Sequence, residues 1–287
     1  MKNLVFIGFL LLSVPIFAQE NDLNFDKRFI NCEERWVAVQ QNNENSYLLG
    51  FVFIDENGLN LGIEGNFSID ENGDYLLQKN LGKRQNIKLE PDNQQVALIP
   101  IERFSELDIT TNPDWFRAMR KIPTVQSFCN AGFIHNKWNN CYSALIYLKL
   151  AEDKGAKSRE FFSEIIYSYN CLGDFTSAAE IGAKGVKKFP DDAVINREVI
   201  FAQANAGLAT DAAKTCKKAM VKCTDRSYNG ENCYNVLRAF YKQKDVKNFK
   251  SWLKSAKKFN SNNPETMNFI AEMEETLRAE IGGEDFF

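Results

Sequence analysis

Histidine is almost missing from this chain of 287 residues; His135 is the only one. None of the seven cysteines stands in a CxxC pair. Together these absences exclude a zinc site of the usual ligand spacing. Also missing are the phosphate-cradling GxxxxGK[ST] loop, the GxGxxG dinucleotide fingerprint, the GxSxG nucleophile elbow and HExxH. A Cys/His catalytic couple would have to use His135, which reads as a capping imidazole at a helix end beside Asn136. Carboxylate pairs such as Asp191-Asp192 fall between helical stretches and read as solvated caps, so no acid/base couple is singled out. The chain reads as a non-enzyme, with no cofactor and no metal.

Long apolar runs are absent as well, except at the start. "MKNLVFIGFLLLSVPIFAQE" has Lys2, an apolar run from Leu4 to Val14, and small or neutral residues before Gln19. That is the layout of a cleavable signal, residues 1–18, cut after Ala18. The run is short for a membrane span and no basic stop follows it. Export is the expectation, and the Asn/Lys-rich composition points to the periplasm or cell surface of a Gram-negative bacterium. Disulfides persist in such a compartment. Seven cysteines leave at least one without a partner in the chain.

What is present is an ordinary folding composition, 44% hydrophobic and 25% charged. The net charge of -3 hides an uneven division. Residues 19–110 carry 8 Lys/Arg against 17 Asp/Glu, and residues 111–287 carry 26 against 21. Two differently charged halves point to two domains.

The front half has period two. "RWVAVQ", "YLLGFVFI", "LNLGIEGNFSI" and "DYLLQ" read as strands, with further strands near Ile87–Leu89 and Val96–Ile101. "DENG" occurs twice, at Asp55–Gly58 and Asp70–Gly73, and Asn-Gly is a strong hairpin signal. Asp70, Asn72 and Asp74 open like a calcium loop, but Tyr75 and Leu81 stand where its glycine and glutamate belong. Hairpin turns are therefore expected, in an antiparallel meander or sandwich with Trp36, Phe51 and Phe53 in its core.

The back half repeats. Gly173 lies 34 residues before Gly207, and a step of 37 then reaches Lys244. A backward step of 37 reaches Asn136. Ala178 and Ala212 follow their glycines at the same distance. Over residues 122–262 the chain resembles the tetratricopeptide repeat family, most closely in Phe162, Ile165, Tyr169, Gly173, Phe175, Ala178 and Pro190. The resemblance implies about four pairs of antiparallel helices stacked as a solenoid. Asn263-Pro264-Glu265 then opens a covering helix with Phe269, Met273, Leu277 and Ile281 on one stripe, ended by Gly282-Gly283. The fold class expected is α+β in two domains. A β domain spans 19–110, a linker helix 111–121, the repeats 122–262, and a capping helix and tail 263–287.

The resemblance further implies a concave groove lined by the first helix of each pair. Its residues would be Gln126, Asn130 and Phe133; Ser163, Tyr167 and Asn170; Arg197, Phe201 and Asn205; and Tyr234, Arg238 and Tyr241. Amide, aromatic and guanidinium groups suit a protein partner presenting an extended peptide. Glu164, Val194 and Glu198 stand where some family members grip a C-terminal carboxylate with Asn, Lys and Arg, so that ligand is not expected. Cys129 and Cys141, both at small-residue places in the first pair, would form a disulfide.

Lysines recur on the second helices, at 184, 187 and 188, at 214, 217, 218 and 222, and at 250, 254, 257 and 258. Such a run is ordinarily a solvated face. It also matches the acidic front half or an anionic envelope surface, whereas nucleic acid is not expected for an exported acidic chain. The alternative reading is a carbohydrate or small-ligand receptor acting through aromatics of the β domain, with the repeats as spacer.

Overall fold

The computed structural model describes residues 22–42, 45–79 and 85–281. The expected signal, residues 1–18, lies outside them. The chain divides into an antiparallel β unit and a helical unit, an α+β layout. Among the described residues, the β unit takes those within 22–53 and 60–119, and the helical unit 54–59 and 120–281.

Seven strands make one sheet: β1 (Phe25–Arg28), β2 (Arg35–Gln40), β3 (Tyr47–Asp55), β4 (Gly58–Ile69), β5 (Tyr75–Lys79), β6 (Gln85–Lys88) and β7 (Gln95–Leu98). Their order is β1-β7-β2-β3-β4-β5, with β6 also on β4. β4 is long enough for two partners: Asn60–Ile63 pair with β6, and Gly65–Ile69 with β5. The centre is a meander, but β7 returns to separate β1 from β2. Among the described residues there is one sheet, so the expected sandwich is replaced by helical cover.

Both DENG segments are hairpin turns, held by their leading aspartates. Asp55 Oδ1 accepts from the main-chain N–H of Asn57 (2.7 Å) and Gly58 (3.1 Å). Asp70 Oδ1 accepts from Asn72 and Asp74, both at 2.9 Å, and Gly73 takes the positive φ. The second turn occupies the Asp70 carboxylate, the first that a calcium loop would need.

The cover is α1 (Asp114–Met119), placed by sequence as a linker. Phe116 packs on Phe51 and Phe53 at ring-centroid distances of 5.0 and 6.0 Å, and Trp115 lies 5.3 Å from Phe53. Trp36 Nε1–H donates to the Thr110 carbonyl at 2.7 Å. Residues 110–119 thus belong to the β core, and the linker-helix assignment is corrected. Burying two aromatic rings outweighs the local polarity that made this stretch resemble a connector.

The helical unit consists of α2 (Val125–Lys137), α3 (Cys141–Asp153), α4 (Arg159–Cys171), α5 (Phe175–Lys188), α6 (Ala193–Asn205), α7 (Ala209–Lys222), α8 (Asn229–Lys242), α9 (Val246–Phe259) and α10 (Pro264–Ile281). The first eight form four hairpins, α2/α3 to α8/α9. Each first helix also packs on the first helix of the next hairpin. Left-handed residues make the four turns: Asn139, Gly173, Gly207 and Lys244. The first turn is therefore Asn139, not Asn136, and the steps are 34, 34 and 37 residues. In three turns the next residue caps the second helix: Asn140 accepts from Ser143 N–H, Asp174 from Ser177 and Asp245 from Asn248.

Small residues set the helix spacing. A Cβ on Gly132 would lie 2.5 Å from Leu148 Cγ, and one on Gly182 would lie 2.5 Å from Val199 Cγ2. α10 closes the last hairpin by burying Ile270, Met273 and Leu277 with Phe240, Phe249 and Trp252. Its stripe starts at Ile270, since Phe269 points to solvent. The Ile281 side chain and Gly282-Gly283 lie outside the described residues.

The disulfide joins Cys141 to Cys171, with Cα atoms 6.2 Å apart, and Cys129 is a free, buried thiol. This overturns the 129–141 pairing. In the antiparallel α2/α3 hairpin, Cys141 starts α3 beside the end of α2 at Lys137. Cys129 lies eight residues back along α2, about 12 Å of axial rise. Cys171, at the end of α4, reaches Cys141 instead and ties the first hairpin to the second.

Candidate partner-binding face

The first helices α2, α4, α6 and α8 present the twelve residues expected to line a groove, and the structure divides them into two sets. One set is engaged in holding the helices together. Asn170 is buried, and its amide donates to the Glu198 carboxylate at 2.9 Å and to the Glu198 carbonyl at 3.0 Å. Asn205 donates to the Phe201 carbonyl at 2.9 Å and accepts from Arg238 at 2.9 Å. Arg197 pairs with Glu198, and its guanidinium lies 4.8 Å over the Tyr228 ring. Asn130 donates to the carbonyl of Asp55, one of the turn residues grouped with the helical unit. Ser163 Oγ bonds back to the Glu160 carbonyl in its own helix. Phe201 is half-buried, packed 5.8 Å from Phe175.

The other set faces outward. Gln126 is exposed and Phe133 is 49% exposed. Tyr167, Tyr234 and Tyr241 are half-buried, and their hydroxyls make no hydrogen bond among the described residues. Tyr241 rests on Phe249 at 6.3 Å, which fixes its ring.

Sequence reasoning missed the polar ladder beneath this face. Asn136 donates to the Glu164 carboxylate (2.9 Å) and carbonyl (3.0 Å), the same fork that Asn170 makes to Glu198 one 34-residue step later. Glu164 and Glu198 are the residues that fail to match a carboxylate-gripping groove, and their work is to link neighbouring hairpins. Burial pushes the Glu164 carboxyl up; Asn136 opposes this and Glu198 adds to it. Burial pushes Glu231 up too, against the pull of Arg197. The signal that would have found the ladder is the recurrence of Asn and Glu at the same two places in successive repeats.

His135 is buried with its ring stacked on Tyr147, centroids 5.2 Å apart. Among the described residues no group of His, Cys, Asp and Glu side chains is placed to hold a metal. No helix of the described residues is long and apolar enough to cross a membrane. A shallow apolar groove runs elsewhere, along α3, between Tyr142, Ile146 and Leu150.

Against known proteins, the chain matches no family model and no curated protein.

Proposed function

We propose that the helical unit is a tetratricopeptide-like solenoid whose first-helix face takes up an extended segment of a partner protein, making the chain a binding or scaffold module. One observation carries this reading. After the internal bonds are formed, the face keeps Phe133 on the first hairpin, Tyr167 on the second, and Tyr234 and Tyr241 on the fourth, with the tyrosine hydroxyls unused. Rigid aromatic area beside free hydroxyls suits a peptide, whose side chains need contact and whose backbone needs hydrogen-bond partners. The Asn–Glu ladder from α2 to α6, and the Arg238–Asn205 bond from α6 to α8, hold the helices that carry these rings at a fixed spacing.

The four left-handed turns and the packing of first helix on first helix support the repeat reading. The receptor alternative would use Trp36, Phe51 and Phe53, and all three are buried, in contact with each other or with the α1 rings. Export to a Gram-negative envelope remains part of the proposal, resting on the sequence of residues 1–18 alone.

The test is panning of a random peptide library on the purified chain, followed by calorimetry of the selected peptides. Joint replacement of Phe133, Tyr167 and Tyr234 by Ala should weaken binding by about tenfold or more, as loss of aromatic anchors does. Undiminished binding by a variant that still unfolds cooperatively would contradict it.

A further inference from the structure

Positive charge is sorted by residue type between the two helices of the last three hairpins. The second helices α5, α7 and α9 carry twelve lysines, no arginine, and only Glu180 and Asp211 as acids. The first helices α4, α6 and α8 carry three arginines and one lysine, Lys242. The arginines are tied into local contacts with Asp192, Glu198 and Asn205. Among the lysines, Lys184, Lys187, Lys218, Lys222 and Lys254 are exposed, with no carboxylate partner among the described residues. Lys214 and Lys257 are neutralised, by Asp211 and Glu274.

Lysines recur at matching places on α5 and α7. Lys184 and Lys218 are 34 residues apart, as are Lys188 and Lys222, the same step as the left-handed turns Gly173 and Gly207. Lys217 Nζ lies 5.7 Å from the Trp252 ring centroid, placing α7 beside α9. Among them Val221 is 79% exposed, an apolar side chain between Lys218 and Lys222.

We propose that this lysine face docks on an anionic phospholipid surface. Lysine is a point charge on a flexible stem, suited to a fluid array of headgroup phosphates. The face has no arginine fork to read a base edge, and its one exposed ring, Phe259 at the end of α9, lies under Lys258. Val221 would dip into the headgroup layer while the lysines ring it. The aromatic face of the first helices stays outside this contact, so peptide capture and membrane docking use different side chains and fail independently.

The experiment is sedimentation of the purified chain with phosphatidylcholine vesicles, with and without phosphatidylglycerol, over a range of salt. The chain should bind only the anionic vesicles and come off as salt rises. Replacement of Lys184, Lys187, Lys218, Lys222 and Lys254 by Gln should weaken binding by about three thousandfold, at roughly fivefold per lysine. Circular dichroism of the variant should be unchanged, since all five side chains are exposed. Absence of binding to anionic vesicles at low salt would overturn the proposal, as would a five-lysine variant that binds like the parent. Tighter binding to duplex DNA than to anionic vesicles, lost in the same variant, would overturn it in favour of nucleic acid.

Discussion

Asn170 grips Glu198 twice, at the carboxylate and at the main-chain carbonyl, and Asn136 grips Glu164 in the same two ways. The two forks differ in one atom. Ser168 Oγ lies 2.9 Å from Asn136 Oδ1 and supplies it with a donor, while Asn170 Oδ1 is buried with none. The residue 34 places after Ser168 is Ala202, fully buried and without a hydroxyl. Ala202→Ser should therefore stabilise the protein by about 1 kcal/mol, the net worth of one hydrogen bond. Ser168→Ala should cost about 1–3 kcal/mol by orphaning Asn136 Oδ1. Denaturant midpoints of the two variants check both signs.

The same comparison applies to helix caps. Asn140, Asp174 and Asp245 cap α3, α5 and α9, but Leu208 stands at the start of α7 with no side-chain bond. Leu208 is partly exposed, so it contributes little packing. Leu208→Asp should raise stability by about 1 kcal/mol. A fall in the thermal midpoint would contradict the equivalence of the four turns.

How much of this was legible in the sequence varied with distance along the chain. Both DENG turns and the 34-residue step from Gly173 to Gly207 are local signals, and they stand in the structure. The first turn was misplaced by three residues, because both Asn136 and Asn139 suit a turn and only the helix register tells them apart. The α1 helix carries Trp115 and Phe116 in a polar stretch, and nothing local says that Phe51 and Phe53 await them. β7 pairs with strands at the far end of its unit, a non-local choice. The 141–171 bridge and the Asn–Glu ladder join neighbouring hairpins, so they become visible only once the stacking of first helices is known.

Glu164 gives the ladder a pH signature. Its carboxyl is held above the ordinary glutamate value of 4.5, chiefly by burial. A raised carboxyl contributes stability below pH 4.5, and that contribution is lost as pH rises through the elevated value. Glu164→Gln keeps an acceptor for Asn136 but removes the buried charge. Relative to the parent, this variant should gain stability as pH rises from 4.5 to neutrality. Urea unfolding across that range checks the sign; a variant whose stability relative to the parent stays level or falls toward neutral pH would refute it.

The bridge makes its own prediction. Peptide mapping of unreduced, alkylated protein should link the Cys141 and Cys171 peptides and recover Cys129 alkylated. The bridge closes a loop between positions 30 residues apart. Its removal in Cys171→Ser should cost about 3.6 kcal/mol on the loop-entropy estimate. A linked 129–141 peptide would reverse the assignment.

The central claim is that the outward first-helix face is where a partner binds. Hydrogen–deuterium exchange of the full chain with a selected peptide tests it most directly, since ordering a bound segment against these helices slows their local opening. The account predicts slowed exchange in α4, α6 and α8, abolished when Phe133, Tyr167 and Tyr234 are replaced by Ala. Slowed exchange confined to the β unit, or unchanged in the triple variant, would contradict it.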